Sequence, residues 1–225
     1  MCIRDSLNMA SEIKREIETA DSVDLLCAFI KNSGIAVIRN QLEYLRDHNI
    51  PLRVITSTYC GASDIQAINR LVDEFGAQVK VGYESRDTRL HAKAWLFRRD
   101  SGFDTAYIGS SNLSNSALID GVEWNVRASR TSTPEILAKF EAVFETYWND
   151  SHYVAYVPGE DQERLAVALR RERLGSDRDT AIELSGLEVT PWPYQQAMLE
   201  ALEAERSVHD RHRNLIIAAT GTGKT

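Results

Sequence analysis

The chain has 225 residues, 33 of them acidic and 26 basic, for a formal net charge of −7 and a pI near 5.3. That balance excludes a surface coated for non-specific nucleic-acid binding, although a local basic cleft is compatible with it. The 43% hydrophobic and 26% charged content fits a globular chain with room for one full domain and part of another. No apolar run approaches the ~20 residues that span a bilayer, so no membrane partner is expected. The three cysteines, Cys2, Cys27 and Cys60, have no metal-ligand spacing and read as free thiols in a reducing cytoplasm.

In chain order, Met1–Ser6 (MCIRDS) reads as the translation of a transposon-end adapter and is set aside from fold reasoning. Ala10–Thr19 carries Ile13 and Ile17 four apart and predicts a helix. Val23–Phe29 is a short apolar run, expected as a buried strand. Ile35–Asp47 has near-helical apolar spacing and ends at Asn49 and Pro51. Leu52–Ile55 predicts a second strand, and in the loop Thr56–Ala62 after it Thr56, Ser57 and Thr58 could line a site, with ordinary loop polarity the favoured reading. Ser63 and Asp64 can cap a helix over Ile65–Phe75, which Gly76 stops. Gln78–Val81 predicts a third strand. This alternation is the rhythm of a mixed, mostly parallel sheet flanked by helices, with ligands expected where the polar loops gather at one sheet edge.

The chemistry concentrates in Leu90–Phe97 (LHAKAWLF) and in Tyr107–Asn112 (YIGSSN). His91 and Lys93 are two apart in an alternating run, so a strand would put imidazole and ammonium on one face and Ala92, Ala94 and Leu96 on the other. The strand Ala106–Ile108 ends in Gly109-Ser110-Ser111-Asn112, a donor-rich turn suited to an anion. Asn112–Leu118 reads as a short helix or turn that begins there. Val122–Ala128 predicts a further strand, with Glu123, Asn125 and Arg127 on one face and Val122, Trp124 and Val126 on the other. Arg86, Arg89, Lys93, Arg98 and Arg99 crowd the same window, and Arg89, Arg98 and Arg99 are the expected nucleic-acid contacts. Pro134–Trp148, capped by Ser132 or Thr133, is a strong amphipathic helix whose stripe is Ile136, Leu137, Phe140, Val143 and Phe144.

The pairing of HxK with GSSN, continued by GVEWNV, resembles the single-motif, nuclease-like branch of the phospholipase D superfamily over roughly residues 10–150. The resemblance implies a phospholipase D-like α/β domain over 7–148. His91 would be the nucleophile, Lys93 and Asn112 would bind phosphate oxygens, Ser110 would assist, and Glu123 would orient the histidine. Where the family pattern HxKxxxxD has Asp, this chain has Arg98. Nuclease-like members often carry instead a Glu on the strand after GSxN, and Glu123 matches it. No metal or other cofactor is implied for this site. The family's site takes two HxK motifs. This chain has five histidines, but His48, His152, His209 and His212 lie in no similar motif, so a homodimer is implied.

Beyond Asn149 the texture changes. Residues 149–185 read as a linker with one charged helix, Gln162–Leu174. Residues 186–225 then join Pro193-Tyr194-Gln195 to an apolar strand and Ala218–Thr225 (ATGTGKT). Backbone amides of such a loop cradle phosphates. This stretch resembles the start of a superfamily 2 helicase motor, a RecA-like domain. Gly221, Thr222, Gly223 and Lys224 would hold ATP, Thr225 would hold Mg²⁺, and Gln195 would read adenine. The chain is expected to be a piece of a longer protein, since the rest of that motor is missing. The combined expectation is a metal-independent nuclease, acting on DNA, fused to an ATP-dependent translocase in a restriction or defence setting. The alternative is a phospholipase D-like module that binds nucleic acid without cutting it, prompted by Arg98.

Overall fold

A computed structural model describes residues 8–83, 90–120 and 124–176. All lie in the first of two units into which the chain divides, Met1–Asp179. Helix α1 (Met9–Ile17) starts where the Asn8 side chain accepts the Ser11 N–H at 2.9 Å, and its Ile13 and Ile17 are fully buried. Strand β1 (Ser22–Leu26) follows. The single helix expected over Ile35–Asp47 is two, α2 (Asn32–Val37) and α3 (Arg39–Asp47), because Ile38 leaves the helical region at φ −115° and ψ 21°. Strand β2 (Leu52–Ser57), helix α4 (Ile65–Asp73) and strand β3 (Gln78–Gly82) complete the first half. Asp64 stands at the start of α4 but does not cap it. Its carboxylate instead accepts the Asn32 N–H at 3.0 Å and meets Lys31 at 3.3 Å, fastening the loop after β1.

Strands β4 (Ala94–Arg98), β5 (Thr105–Gly109) and β6 (Asn125–Ser129) form the second half. Helix α5 (Pro134–Asn149), strand β7 (Tyr153–Ala155) and helix α6 (Gln162–Ser176) follow. The sheet order is β6-β5-β4-β1-β2-β3-β7. The mixed α/β sheet flanked by helices is as expected, but its parallel part is confined to β1–β2 and β2–β3, and the other four pairings are antiparallel. A short hairpin return joins β4 to β5, which only antiparallel neighbours permit, while β6 comes back beside β5 after the GSSN turn and a longer connection. Pairing of β7 with β3 and burial of Leu165 and Leu169 on α6 make residues 150–176 part of this domain, where the charged pattern suggests a linker from 149.

Both faces of the sheet are covered. One carries Val23, Leu25, Val54, Val81, Trp95 and Phe97 against α1, α3, α4 and α6. The other carries Ala94, Leu96, Ala106 and Ala128 against Leu137 and Phe140 of α5. Central strands buried on both sides read as continuous apolar runs, which is why AWLF in β4 is wholly apolar. Ile136, expected in the α5 stripe, turns outward and is 48% exposed. Two ion-pair networks tie helices to the sheet. Asp24, 1% exposed on β1, holds Arg53 of β2 at 2.7 Å and Arg98 of β4 at 2.5 Å, and Glu145 of α5 reaches both arginines. Glu16 of α1 meets Arg99 at 2.5 Å and Arg127 of β6 at 3.1 Å, and accepts from Thr105 and Tyr107 of β5.

Candidate active site

Strands β1, β2, β3 and β5 run one way and β4 and β6 the other, so the ends of the first set and the starts of the second share one sheet edge. His91 and Lys93 enter β4 at that edge and Gly109–Asn112 leave β5 there. The two motifs meet directly, because Gly109 N–H donates to the Lys93 carbonyl at 3.0 Å and Ala94 stands opposite Ile108. His91 and Lys93 lie just before the strand rather than within it, since β4 begins at Ala94. Lys93 is 5% exposed and its Nζ donates to the His91 carbonyl at 2.6 Å, whereas the His91 side chain and Ala92 are exposed. Partial desolvation of the ring by its neighbours, and secondarily the positive charge of Lys93, hold the His91 pKa below its ordinary value. Cys27, in the segment opposite Lys93, is a buried thiol pushed up to about 12 by desolvation, against the pull of Lys93.

Asn112 is 7% exposed and accepts the Phe29 N–H through Oδ1 at 3.2 Å. That bond orients the amide. The same seam continues through an Ile30–Leu113 bridge and a Lys31 N–H to Leu113 carbonyl bond of 2.9 Å, so the loop after β1 and the end of the GSSN turn are zipped together. A Cβ at Gly34 would collide with the Leu113 and Ser114 backbone, so only glycine lets α2 lie this close to the turn. Ser110 is fixed from the other side. Its N–H donates to the Trp124 carbonyl at 3.1 Å and its Oγ accepts the Trp124 N–H at 3.1 Å. Gly109 has no room for a Cβ against Trp124 and Asn125, which explains the glycine of GSSN. The turn after it does not begin a helix at Asn112. The first helical bonds run from Ser114, whose Oγ accepts the Ala117 N–H at 3.3 Å, into a single π-turn, Ser116–Asp120.

Several expectations are corrected by this geometry. Arg98 and Arg99 are held by carboxylates, Arg98 by Asp24 and Glu145 and Arg99 by Glu16. Arg98 lies about 16 Å down β4 from Lys93, at ~3.3 Å per residue. Trp124, just before β6, and Val126 on it share one face as expected, and they are 84% and 63% exposed at what is an edge of the sheet among the described residues. Glu123, Arg89, Gln195 and the loop residues Gly221, Thr222, Gly223, Lys224 and Thr225 lie outside the described residues. Ser111, named above only as part of the donor-rich turn, is 3% exposed and accepts from Asn125 at 2.8 Å. Tyr59 is a residue that sequence reasoning misses. Its ring stands edge-on to His91, with centroids 5.5 Å apart and planes at 74°. Nothing local in the sequence pairs residue 59 with residue 91. The loop around it gives one signal, because Thr56, Ser57 and Thr58 are exposed by no more than 1%, and Ser57 donates to the Ala28 carbonyl at 3.2 Å.

A seven-stranded mixed sheet with an HxK entry and a GSSN exit on one edge defines a phosphodiester-handling α/β class. The chain belongs to the phospholipase D-like family. The family described as cardiolipin synthase, PLD-like domain, matches residues 13–148. No curated protein sequence matches it. Among solved structures, NucT from Helicobacter pylori is similar at 16% identity and a TM-score of 0.49, over 64% of this chain and 89% of that one. Polyphosphate kinase from Porphyromonas gingivalis has 16% identity and a TM-score of 0.47, over 75% of this chain and 26% of that one. Phosphatidylserine synthase from Haemophilus influenzae has 10% identity and a TM-score of 0.49, over 73% and 43%.

Proposed function

We propose that this chain is a metal-independent phosphodiesterase that cuts nucleic acid, DNA above all, through a phosphohistidine on His91. The observation that carries the reading is the direct junction of the two motifs, with Gly109 bonded to Lys93 and His91 beside them. A lowered pKa keeps His91 neutral at pH 7, as a nucleophile must be. The His91 ring nitrogen attacks phosphorus and an N–P bond forms. The P–O ester bond breaks, and its oxygen leaves with a proton from a second histidine. Water then attacks the phosphohistidine, returns His91 and releases a phosphomonoester. Lys93 supplies a point charge to the non-bridging oxygens. The Asn112 amide, its oxygen committed to Phe29, donates through Nδ2, and Ser110 adds a hydroxyl. Glu123 orients His91.

The second histidine comes from another copy. Facing two His91 rings across a two-fold axis requires the surface around the site to be an interface. Support comes from β6, an edge of the sheet among the described residues, where Val126 and the preceding Trp124 are exposed next to Ser110. Fusion to a helicase rests on the sequence alone, on Gln195 and the Gly221–Thr225 loop with its ATP and Mg²⁺. The binding-module alternative is motivated by Arg98, whose pairing with Asp24 and Glu145 favours a structural role for it, and the test below decides between the two.

In that test the full chain and its His91→Ala variant are incubated with single- and double-stranded DNA and RNA in EDTA, and the mass of each is measured in solution. Cleavage by a dimer that vanishes in the variant is expected. Binding without cleavage by the intact chain would establish the binding module instead, and a monomer that cleaves would sink the shared site.

A further inference from the structure

The turn Tyr59–Gly61 leaves the sheet beside the site in a conformation that its residues do not favour alone. Cys60 is left-handed at φ 53° and ψ 11°, and Gly61 follows at φ 59°. Such backbone persists where the surroundings over-determine it. Here the surroundings are α6. Arg173 Nε donates to the Gly61 carbonyl at 2.6 Å, and a Cβ at Gly61 would collide with the Arg173 side chain and the Leu169 carbonyl. Leu165 and Leu169 anchor that helix in the core at 0% and 2% exposure, and Arg164 lies 4.0 Å over the Tyr83 ring. From below, Ser57 Oγ accepts the Tyr59 N–H at 3.2 Å and the Thr58 carbonyl accepts the Gly61 N–H at 2.8 Å. The residue held by these contacts is Tyr59, and its ring edge meets His91.

We propose that Tyr59 is a positioning residue for His91, and that α6, through Arg173, clamps the turn that presents it. The exposed imidazole sits on a segment that precedes its strand, so it needs a wall to fix its ring plane and to keep water from one side. Tyr59 supplies that wall by an edge contact that does not depend on the hydroxyl. Helix α6 is thereby tied to the site through the Arg173–Gly61 bond. The proposal rests on His91 being the reacting group, but the titration below reads ring environment whether or not the chain cleaves anything.

The experiment is an NMR titration of the histidine ring protons in the full chain, with the His91 resonance assigned by its loss in His91→Ala. The groups that bear on the ring among the described residues are Tyr59 from the turn and Lys93 from its own segment. Tyr59→Ala is expected to move the His91 midpoint upward, toward the ordinary histidine value, and Tyr59→Phe to leave it in place. Arg173→Ala is expected to move it the same way by less. If cleavage is present, Tyr59→Ala lowers kcat by about ten- to a hundredfold at unchanged KM, the size expected for a misoriented group. An unmoved His91 midpoint in Tyr59→Ala, or a Tyr59→Phe that behaves like alanine, would overturn the proposal. If Tyr59→Ala does not fold, Arg173→Ala decides: a midpoint equal to that of the unaltered chain rejects the clamp.

Discussion

The two ends of the sheet handle charge in opposite ways. At the far end Asp24, Arg53, Arg98 and Glu145 form one network and Glu16, Arg99 and Arg127 another, each cation matched by carboxylates from a different element. At the site edge the polar groups are fastened chiefly through the main chain. Phe29 N–H holds Asn112, Trp124 N–H holds Ser110, and Gly109 N–H holds the Lys93 carbonyl. Fixing a group through the backbone positions it without neutralising it. Side-chain ion pairs do the reverse, using the charge to tether α1 and α5 to the sheet. One basic window in the sequence therefore divides into structural arginines and a lysine that remains with the histidine.

The largest effect that would sharpen this contrast is His91→Ala. It should lower cleavage by about a thousandfold or more, as loss of a nucleophile does, while stability moves by no more than the ~0.5 kcal/mol typical of an exposed position. An active His91→Ala would remove the site edge from the chemistry. Next comes Asp24→Ala, which strips the buried acid from two guanidiniums. Removing one partner of a buried pair costs on the order of 3 kcal/mol, and Asp24 is 1% exposed. Urea unfolding should register that loss with the specific activity of the folded fraction unchanged. A stability loss under ~1 kcal/mol would mean that the far-end network is ornamental.

Smaller still is the expected effect on nucleic-acid affinity. Arg98→Gln and Arg99→Gln should leave the slope of log affinity against log salt as it is, since their charges are already matched by Asp24 and Glu16. Lys93→Met should flatten the slope on duplex by about 0.9 for each phosphate that the lysine no longer neutralises. A slope change in the arginine variants would erase the division between the two ends.

How much of the fold and site is legible in the sequence follows from sequence distance. The βα rhythm of β1–β3 and the α5 stripe around Phe140 and Phe144 are local patterns, and the strands and α5 appear where the periodicity puts them, while the helix expected over Ile35–Asp47 divides at Ile38. The HxK and GSSN motifs are local too, and they meet because the strands they flank are hairpin neighbours. The fates of Arg98 and Arg99 are not local. Their acids, Asp24 and Glu16, come from the first elements of the chain and meet the arginines only in the fold. Tyr59 is invisible for the same reason, reaching His91 from a different loop. The helix α6 looks like a linker because its pattern is highly charged, and only Leu165 and Leu169 betray its seat. Trp124 and Val126 have the alternation of a packed strand, but alternation gives two faces and does not say which is covered, and β6 is an edge.

The smallest effect concerns pH, and its sign follows from the lowered His91 pKa. The folded chain holds the proton less tightly than the unfolded chain, so between the two values the unfolded state binds more protons and stability rises with pH. Acidification below the ordinary value of 6.5 should therefore weaken the fold slightly, and above it the contribution is absent. In activity the same shift keeps His91 neutral further into acid, so the acid limb of kcat/KM should have its midpoint below 6.5. Lys93→Met removes one of the two causes, so the limb should climb, but only part of the way, because partial desolvation is the larger cause. A limb that stays put in Lys93→Met would mean that the imidazole does not sense the ammonium. The distinction between a site edge that keeps its charge active and a far end that neutralises it would then fail at its central pair.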